Sequence, residues 1–378
     1  MNSRPHLFQR HKWLITVASL VVVVGIAEAL LRISLFHTTG ELASKDPEYY
    51  ARTLDELWIY RHLFSAGTPW AVGAGQAGAS SDTSIEFYKS WATSLVPDAE
   101  LGYRRASNVQ TPCHETTNLG TRGIGDYAWS GPKIVFLGDS FVESAACSND
   151  TLTTKVEKIT GIDTLNFGVG GYGVDQIFIH FIRVLPRCDR KDCLFLIGVI
   201  QDDLGRMLLA VRTSPKPYFT IRDNKLVLHT AHIHVDALED SFRRPSERFY
   251  LYYFLRGRLG FPIYGALLSQ TREVRQQAVS SLSQHIFREM AERKKQGQFG
   301  LAFVIFPTPG NRFDEGALSL LRGAGIPVVD LQGCLRGRPD TELYAELHPT
   351  SLGNEMLAAC LVRDLAAKGL LPSVPKAG

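Results

Sequence analysis

The sequence has no CxxC pair, no G-x-S-x-G pentapeptide, no internal repeat and no excess of charge of either sign. Each absence removes a class of protein. Without CxxC there is no motif for a zinc knuckle or a dithiol redox centre. Six cysteines in 378 residues are also too few for a disulfide-built scaffold. The missing G-x-S-x-G argues against the nucleophile elbow of the α/β-hydrolases. With 41 Lys+Arg against 38 Asp+Glu, a formal net charge of +3, nothing in the balance points to nucleic acid. Hydrophobic residues at 45% and charged residues at 21% exclude disordered and collagen-like chains. The length fits one or two domains with appendages.

One segment departs from this average. Residues 13–31 read WLITVASLVVVVGIAEALL, with 15 apolar residues of 19. At about 1.5 Å per residue such a helix matches the ~30 Å hydrocarbon core of a bilayer. Arg4, Arg10, His11 and Lys12 precede it, a bias that keeps the N-terminus cytoplasmic and sends the remainder outward. A signal anchor over residues 1–36 is expected. The competing readings are a buried core helix and a signal peptide cleaved near Ala27-Glu28-Ala29. Export of the main body permits disulfides. Cys188 and Cys193, either side of a short polar loop, are a candidate pair; free buried thiols are the alternative.

Residues 37–129 are mixed, with a helical pattern over 49–64 and a Gly/Ala/Ser-rich loop over 71–83. From about 130 the pattern is regular. KIVFLGDS (133–140), DTLNFGVGG (163–171), CLFLIGVI (193–200), FGLAFVIFP (299–307) and IPVVDL (326–331) are short apolar runs closed by turn residues, and read as buried strands. Helices are expected from Asp150 to Thr160, from Tyr172 to Leu185, and from Ser351 to about Lys368. Val274, Ala278, Leu282, Ile286 and Met290 share another helical face. Residues 216–230 alternate around Asp223-Asn224, the pattern of a hairpin. Strands alternating with helices give a parallel sheet covered on both faces, with the site at the carboxyl ends of the strands. The expected main domain is 130–372, with the hairpin and a helical insertion at about 205–270.

Four motifs fall at those strand ends or before the last helix. Gly138-Asp139-Ser140 follows the first strand. A serine there can present its hydroxyl to a cleft and its backbone N–H to a developing oxyanion. Gly-Asp-Ser is also ordinary turn chemistry. Residues 166–171, NFGVGG, let backbone approach a ligand closely. Gly168–Gly173 satisfies G-x-G-x-x-G literally, but it follows the second strand and lacks the acid that a dinucleotide site needs about 20 residues on. Gln201-Asp202-Asp203 follows the third strand. Glu346-Leu347-His348-Pro349 precedes the last helix, where His348 can act as base for Ser140 with a carboxylate orienting it.

Taken in order, these motifs resemble the SGNH/GDSL hydrolase superfamily, and in particular its membrane-anchored bacterial branch. DAELGYRRASN (98–108), TNLGTRG (117–123), GGYGVDQ (170–176) and KPYFTIRDNKLVL (216–228) match that branch in style, so the resemblance covers roughly 98–366. It implies a three-layer α/β/α flavodoxin-like domain without cofactor or metal, tethered to the bacterial inner membrane with the main domain in the periplasm. Ser140 would be the nucleophile and His348 the base. Gly171 and the Ser140 backbone would bind the oxyanion. The implied substrate is an O-acylated, chiefly acetylated, envelope or secreted polysaccharide, or another ester. The readings that remain are an esterase, an O-acetyltransferase partnered by a membrane acyl donor, and a silent assembly or glycan-binding subunit.

Two positions depart from the family pattern. Asp202 stands where an Asn usually donates to the oxyanion, so an ionised side chain would repel it. Either Asp202 is held protonated, or Gln201 or a backbone group supplies the donor. Ala345 stands where the acid usually precedes the His by three residues. Glu346, Glu342 or Asp330 would then substitute, or Ser140 and His348 would act as a dyad.

Outside these motifs, His232 and His234 share a face if extended, and His229 is close by, but no acid or cysteine completes a metal set; a solvated loop is expected. The arginines Arg243, Arg244, Arg248, Arg256, Arg258, Arg272 and Arg275 and the aromatics of 249–254 read as a helical insertion with a buried aromatic side; the alternatives are a membrane-surface or acidic-glycan contact for the arginines and a sugar-stacking platform for the aromatics.

Overall fold

A computed structural model of the chain describes residues 12–39, 94–208, 216–229, 265–309, 313–345 and 347–373. The expected helix over 49–64, the loop over 71–83, His232, His234, the arginines and aromatics of 243–258, and Glu346 lie outside the described residues.

The chain divides into two units, residues 1–72 with 234–271, and residues 73–233 with 272–378. In the first, helix α1 (Lys12–Thr39) carries a 19-residue stretch long and apolar enough to cross a membrane, only 6% of it buried. Trp13, Leu20, Val21 and Leu30 are exposed on it.

The second unit is built on a five-stranded sheet of β3 (Lys133–Gly138), β4 (Asp163–Gly168), β5 (Cys193–Val199), β8 (Gly300–Ile305) and β9 (Val328–Asp330). The order is β4-β3-β5-β8-β9, and every pair is parallel. Counting these strands alone, the order is 2-1-3-4-5, the flavodoxin-like arrangement. Successive side chains in a strand point to opposite faces. Val135 and Leu137 therefore join one core with α4 (Val174–Val184), the C-terminal part of α6 (Gly265–Gln296) and α7 (Glu315–Gly323). Ile134 and Phe136 join the other, with α2 (Ser140–Glu143), α3 (Leu152–Thr160) and α9 (Ser351–Ala367). This is the three-layer α/β/α fold expected from the sequence. The reversal of strand order between β3 and β5 opens a crevice at their carboxyl ends, where doubly wound folds bind ligands.

The remaining strands are peripheral pairs. β1 (Leu95–Asp98) and β2 (Gly102–Arg105) precede the sheet, and Leu101 and Tyr103 are buried in its first core. β6 (Tyr218–Arg222) and β7 (Lys225–His229) form the expected hairpin, with Asp223 and Asn224 both at positive φ in the turn. Helix α3 begins one residue later than its sequence suggests. Thr151 Oγ1 caps it by accepting from Thr154 N–H at 3.2 Å, while Asp150 is engaged by Lys155 and Ser351. The candidate pair Cys188 and Cys193 forms a disulfide. Cys113–Cys147 and Cys334–Cys360 join it.

Two buried histidines set an acid limit on this unit. His180, on α4, packs edge-on against Phe167 and Tyr172. Burial, helped by Arg183, pushes it down to about 3. Burial, with Arg122 and Arg105, pushes His114 down as well. In the unfolded chain each titrates near ~6.5. As the pH falls below that value, the unfolded state binds protons the folded state refuses. Stability is therefore complete above about pH 6.5 and declines by roughly 1.4 kcal/mol per pH unit for each histidine. Urea unfolding at pH 7.5, 6.0 and 5.0 should show this decline, and His180→Gln should remove about half of it. An equal midpoint at pH 7.5 and 5.0 would refute the assignment.

Candidate active site

Ser140 is the first residue of α2, directly after β3. Asp139 caps that helix, its Oδ1 accepting from Phe141 N–H at 2.9 Å. The helix seats closely on the strand ends because they carry glycine. A Cβ at Gly138 or Gly198 would overlap the Val142 side chain, and one at Gly168 would overlap the Glu143 backbone. Gly168, the first glycine of the apparent dinucleotide loop, thus serves helix packing at β4.

His348 arrives from the far end of the chain. Helix α8 (Asp340–Leu343) leads into β10 (Tyr344–Ala345), which pairs antiparallel with β11 (His348–Pro349). Ala345 and His348 face each other, and Leu347 turns the chain at φ +72°. Thr350 then caps α9, its Oγ1 accepting from Gly353 N–H at 3.2 Å. Two side chains at the start of α9 tie it to the segment following Ser140. Ser351 Oγ donates to Asp150 Oδ1 at 2.7 Å, and Asn354 Nδ2 donates to Ser144 Oγ at 3.0 Å and to the Asp150 carbonyl at 2.9 Å. Phe141 holds the imidazole, ring centroids 5.1 Å apart.

These supports bring His348 Nε2 to 2.9 Å from Ser140 Oγ, across 208 residues of sequence. A serine after the first sheet strand meets a histidine before the last helix, over a 2-1-3-4-5 sheet. This is the arrangement of serine and histidine that the SGNH/GDSL resemblance implied.

The glycine loop after β4 is fixed on both sides of Gly171. That residue sits at φ +84°, a conformation that glycine adopts without Cβ strain. Before it, Gly170 N–H donates to Glu143 Oε2 at 2.7 Å and the Gly170 carbonyl accepts from Tyr103 Oη at 2.9 Å. After it, the Tyr172 carbonyl accepts from Arg206 Nη1 at 3.2 Å.

The third loop differs from its sequence reading. Asp202 lies exposed in the first turn of α5 (Gln201–Arg206). Gln201 turns its carbonyl to Asp314 N–H at 2.9 Å. The buried carboxylate is the next one, Asp203, which accepts from Ile200 N–H at 2.9 Å and from Arg206 Nη1 at 2.7 Å. Burial and the neighbouring Asp139 charge raise its pKa, with Arg206 opposing them. Of the acids weighed for His348, Asp330 accepts from Gln332 N–H at 2.9 Å and Glu342 pairs with Arg338 at 3.1 Å. Glu346 lies outside the described residues.

Sequence reasoning missed four buried charges around this site: Asp139, Glu143, Asp203 and Arg206. The i, i+3 spacing of Asp203 and Arg206 was the available signal for that pair.

No protein-family model matches the chain, and no curated protein does. Solved structures similar to it include a member of the lipolytic G-D-S-L family from Veillonella parvula. That likeness has 10% identity, covers 62% of this chain and 99% of that one, and has a TM-score of 0.36. A psychrotrophic esterase from Pseudoalteromonas is similar at 11% identity, over 62% and 97% of the two chains, TM-score 0.33. A two-domain esterase active on acetylated mannans is similar at 11% identity, over 65% and 52%, TM-score 0.35.

Proposed function

We propose that this protein is a serine ester hydrolase in which Ser140 and His348 form and break an acyl-enzyme. The observation that carries this reading is the 2.9 Å contact between Ser140 Oγ and His348 Nε2. A seryl hydroxyl becomes a competent nucleophile when a positioned base takes its proton during attack. The hydroxyl oxygen adds to the ester carbonyl while its proton passes to Nε2. The carbonyl oxygen becomes an oxyanion, received by the backbone N–H groups of Ser140 and Gly171. Collapse expels the alcohol, which takes the proton from the imidazole. Water, deprotonated by the same imidazole, then releases the acid and restores Ser140. Asp202, exposed in the first turn of α5, has no part in this scheme as a donor.

The substrate class follows from location. Helix α1 is read as a signal anchor, and three disulfides suit an oxidising compartment outside the cytoplasm. An O-acylated, chiefly acetylated, polysaccharide of the envelope is the ester most available to a domain tethered there.

The test is labelling of the detergent-solubilised full chain with a fluorophosphonate serine probe, beside Ser140→Ala and His348→Ala. Label on the parent alone supports the nucleophile. The labelled parent is then given an acetylated polysaccharide, with and without a free sugar acceptor. Acetate release to water supports the esterase. Acetyl transfer to the sugar alone would replace it with a transferase, and a folded parent that takes no label would overturn the enzymatic reading.

A further inference from the structure

Beneath the site lies a cation that the scheme above does not use. Arg206, 7% exposed, directs a single nitrogen, Nη1, to all three loops that end the central strands. It meets Asp139 Oδ2 at 2.9 Å in the serine loop, the Tyr172 carbonyl at 3.2 Å in the glycine loop, and Asp203 Oδ1 at 2.7 Å in its own helix. The Tyr172 carbonyl lies one residue after Gly171, and Asp139 lies one residue before Ser140. We infer that Arg206 is the positioning residue of this site, fixing the Gly171 oxyanion donor relative to Ser140 and neutralising Asp139 so that the seryl proton goes to His348. The inference rests on the Ser140–His348 reading and adds a role for a residue that touches neither substrate nor reacting atoms.

Two geometric facts support each half. The Ser140 hydroxyl has two acceptors in reach, His348 Nε2 at 2.9 Å and Asp139 Oδ2 at 3.5 Å. The second oxygen is the one that Arg206 holds. A guanidinium on that oxygen draws its charge away from the hydroxyl; a bare carboxylate there would compete with the imidazole for the proton. For the oxyanion donor, the backbone on either side of Gly171 is tied by separate groups, Glu143 at Gly170 and Arg206 at Tyr172. Glycine at φ +84° gives the loop no rotameric stiffness of its own, so those two ties, together with Tyr103 Oη on the Gly170 carbonyl that shares a peptide plane with the Gly171 N–H, set the direction of that donor. Misplacing a preorganised donor forfeits transition-state stabilisation without altering ground-state binding.

The experiment compares Arg206→Gln, Arg206→Lys and Asp203→Asn with the full-length parent, using p-nitrophenyl acetate turnover and the rate of fluorophosphonate labelling. Arg206→Gln should lose about 10²-fold in kcat, on the order of one lost oxyanion donor, with KM within about threefold of the parent. Labelling should slow in parallel, since phosphonylation uses the same hydroxyl and donors. Arg206→Lys, which keeps the charge, should recover part of the loss. Asp203→Asn should lower kcat less than Arg206→Gln and also spare KM, and it carries the test if the Arg206 variants do not fold. A folded Arg206→Gln with parental kcat, a loss confined to KM, or, where no Arg206 variant folds, an unchanged kcat in Asp203→Asn overturns the inference. If the parent itself neither labels nor turns over, the hydrolase reading fails instead.

Discussion

Ser140→Ala is expected to lower ester turnover by about 10⁴- to 10⁶-fold, His348→Ala by a similar factor, and the double variant by no more than either alone. The non-additivity is the informative part. At 2.9 Å the imidazole acts only through the seryl hydroxyl, so removing either partner removes the whole pathway. What survives in all three variants is the catalysis due to the oxyanion donors and binding, and that residue should be the same in each. Initial rates on p-nitrophenyl acetate, taken on variants shown to melt like the parent, measure this. Both substitutions are mild for the fold. Ser140 and His348 are only half-buried, and Thr350, Ser351 and Asn354 anchor the start of α9 beside His348 in either variant. Losses that multiply in the double variant would mean that the two residues act independently, and the acyl-enzyme scheme would fall.

The fold was legible because its strands are buried on both faces and so read as unbroken apolar runs. KIVFLG, CLFLIGV and GLAFVI coincide with β3, β5 and β8. The turn residues after β3 and the start of the last helix near Ser351 were equally local and pointed to Ser140 and His348, while Gly171 came from the SGNH/GDSL resemblance. Most of the charges that organise the site were not legible, because Asp139, Glu143 and Arg206 meet partners far along the chain. In SFVE nothing local turns Glu143 inward; its carboxylate is buried by Arg105, 38 residues earlier. The third loop failed for a different reason. Gln201-Asp202-Asp203 offers two adjacent acids, and which one is buried depends on where α5 starts. Starting at Gln201, the helix turns Asp203 under the site with Arg206 one turn on and leaves Asp202 in solvent. Cysteine pairing was open for a combinatorial reason: six cysteines allow 15 connectivities, and only the short Cys188–Cys193 loop narrowed them.

Glu143→Ala is expected to destabilise the second unit by about 3–5 kcal/mol, the usual cost of stranding one member of a buried ion pair. Glu143 closes α2, 1% exposed, with Oε1 on Arg105 Nη2 and Oε2 accepting from Gly170 N–H at 2.7 Å. Burial pushes its carboxyl up from the ordinary value, and Arg105 and Arg122 pull it back. Truncation leaves the Arg105 guanidinium, 2% exposed, without the charge that offsets its burial. Arg122 is protected by other acceptors, the carbonyls of Cys113 and Ala146 at 2.8 Å. The cost should therefore follow Arg105. Glu143→Gln keeps the volume and the acceptor for Gly170 N–H, and should lose distinctly less. Replacing both partners, Glu143→Leu with Arg105→Met, should recover much of the loss, because apolar groups of similar volume carry no desolvation penalty. Urea unfolding of the four proteins at pH 7.5 tests the order. Glu143→Ala within about 0.5 kcal/mol of the parent, the range of a neutral surface change, would show that Arg105 finds another counter-charge. A double variant as unstable as Glu143→Ala would place the cost in packing rather than in stranded charge.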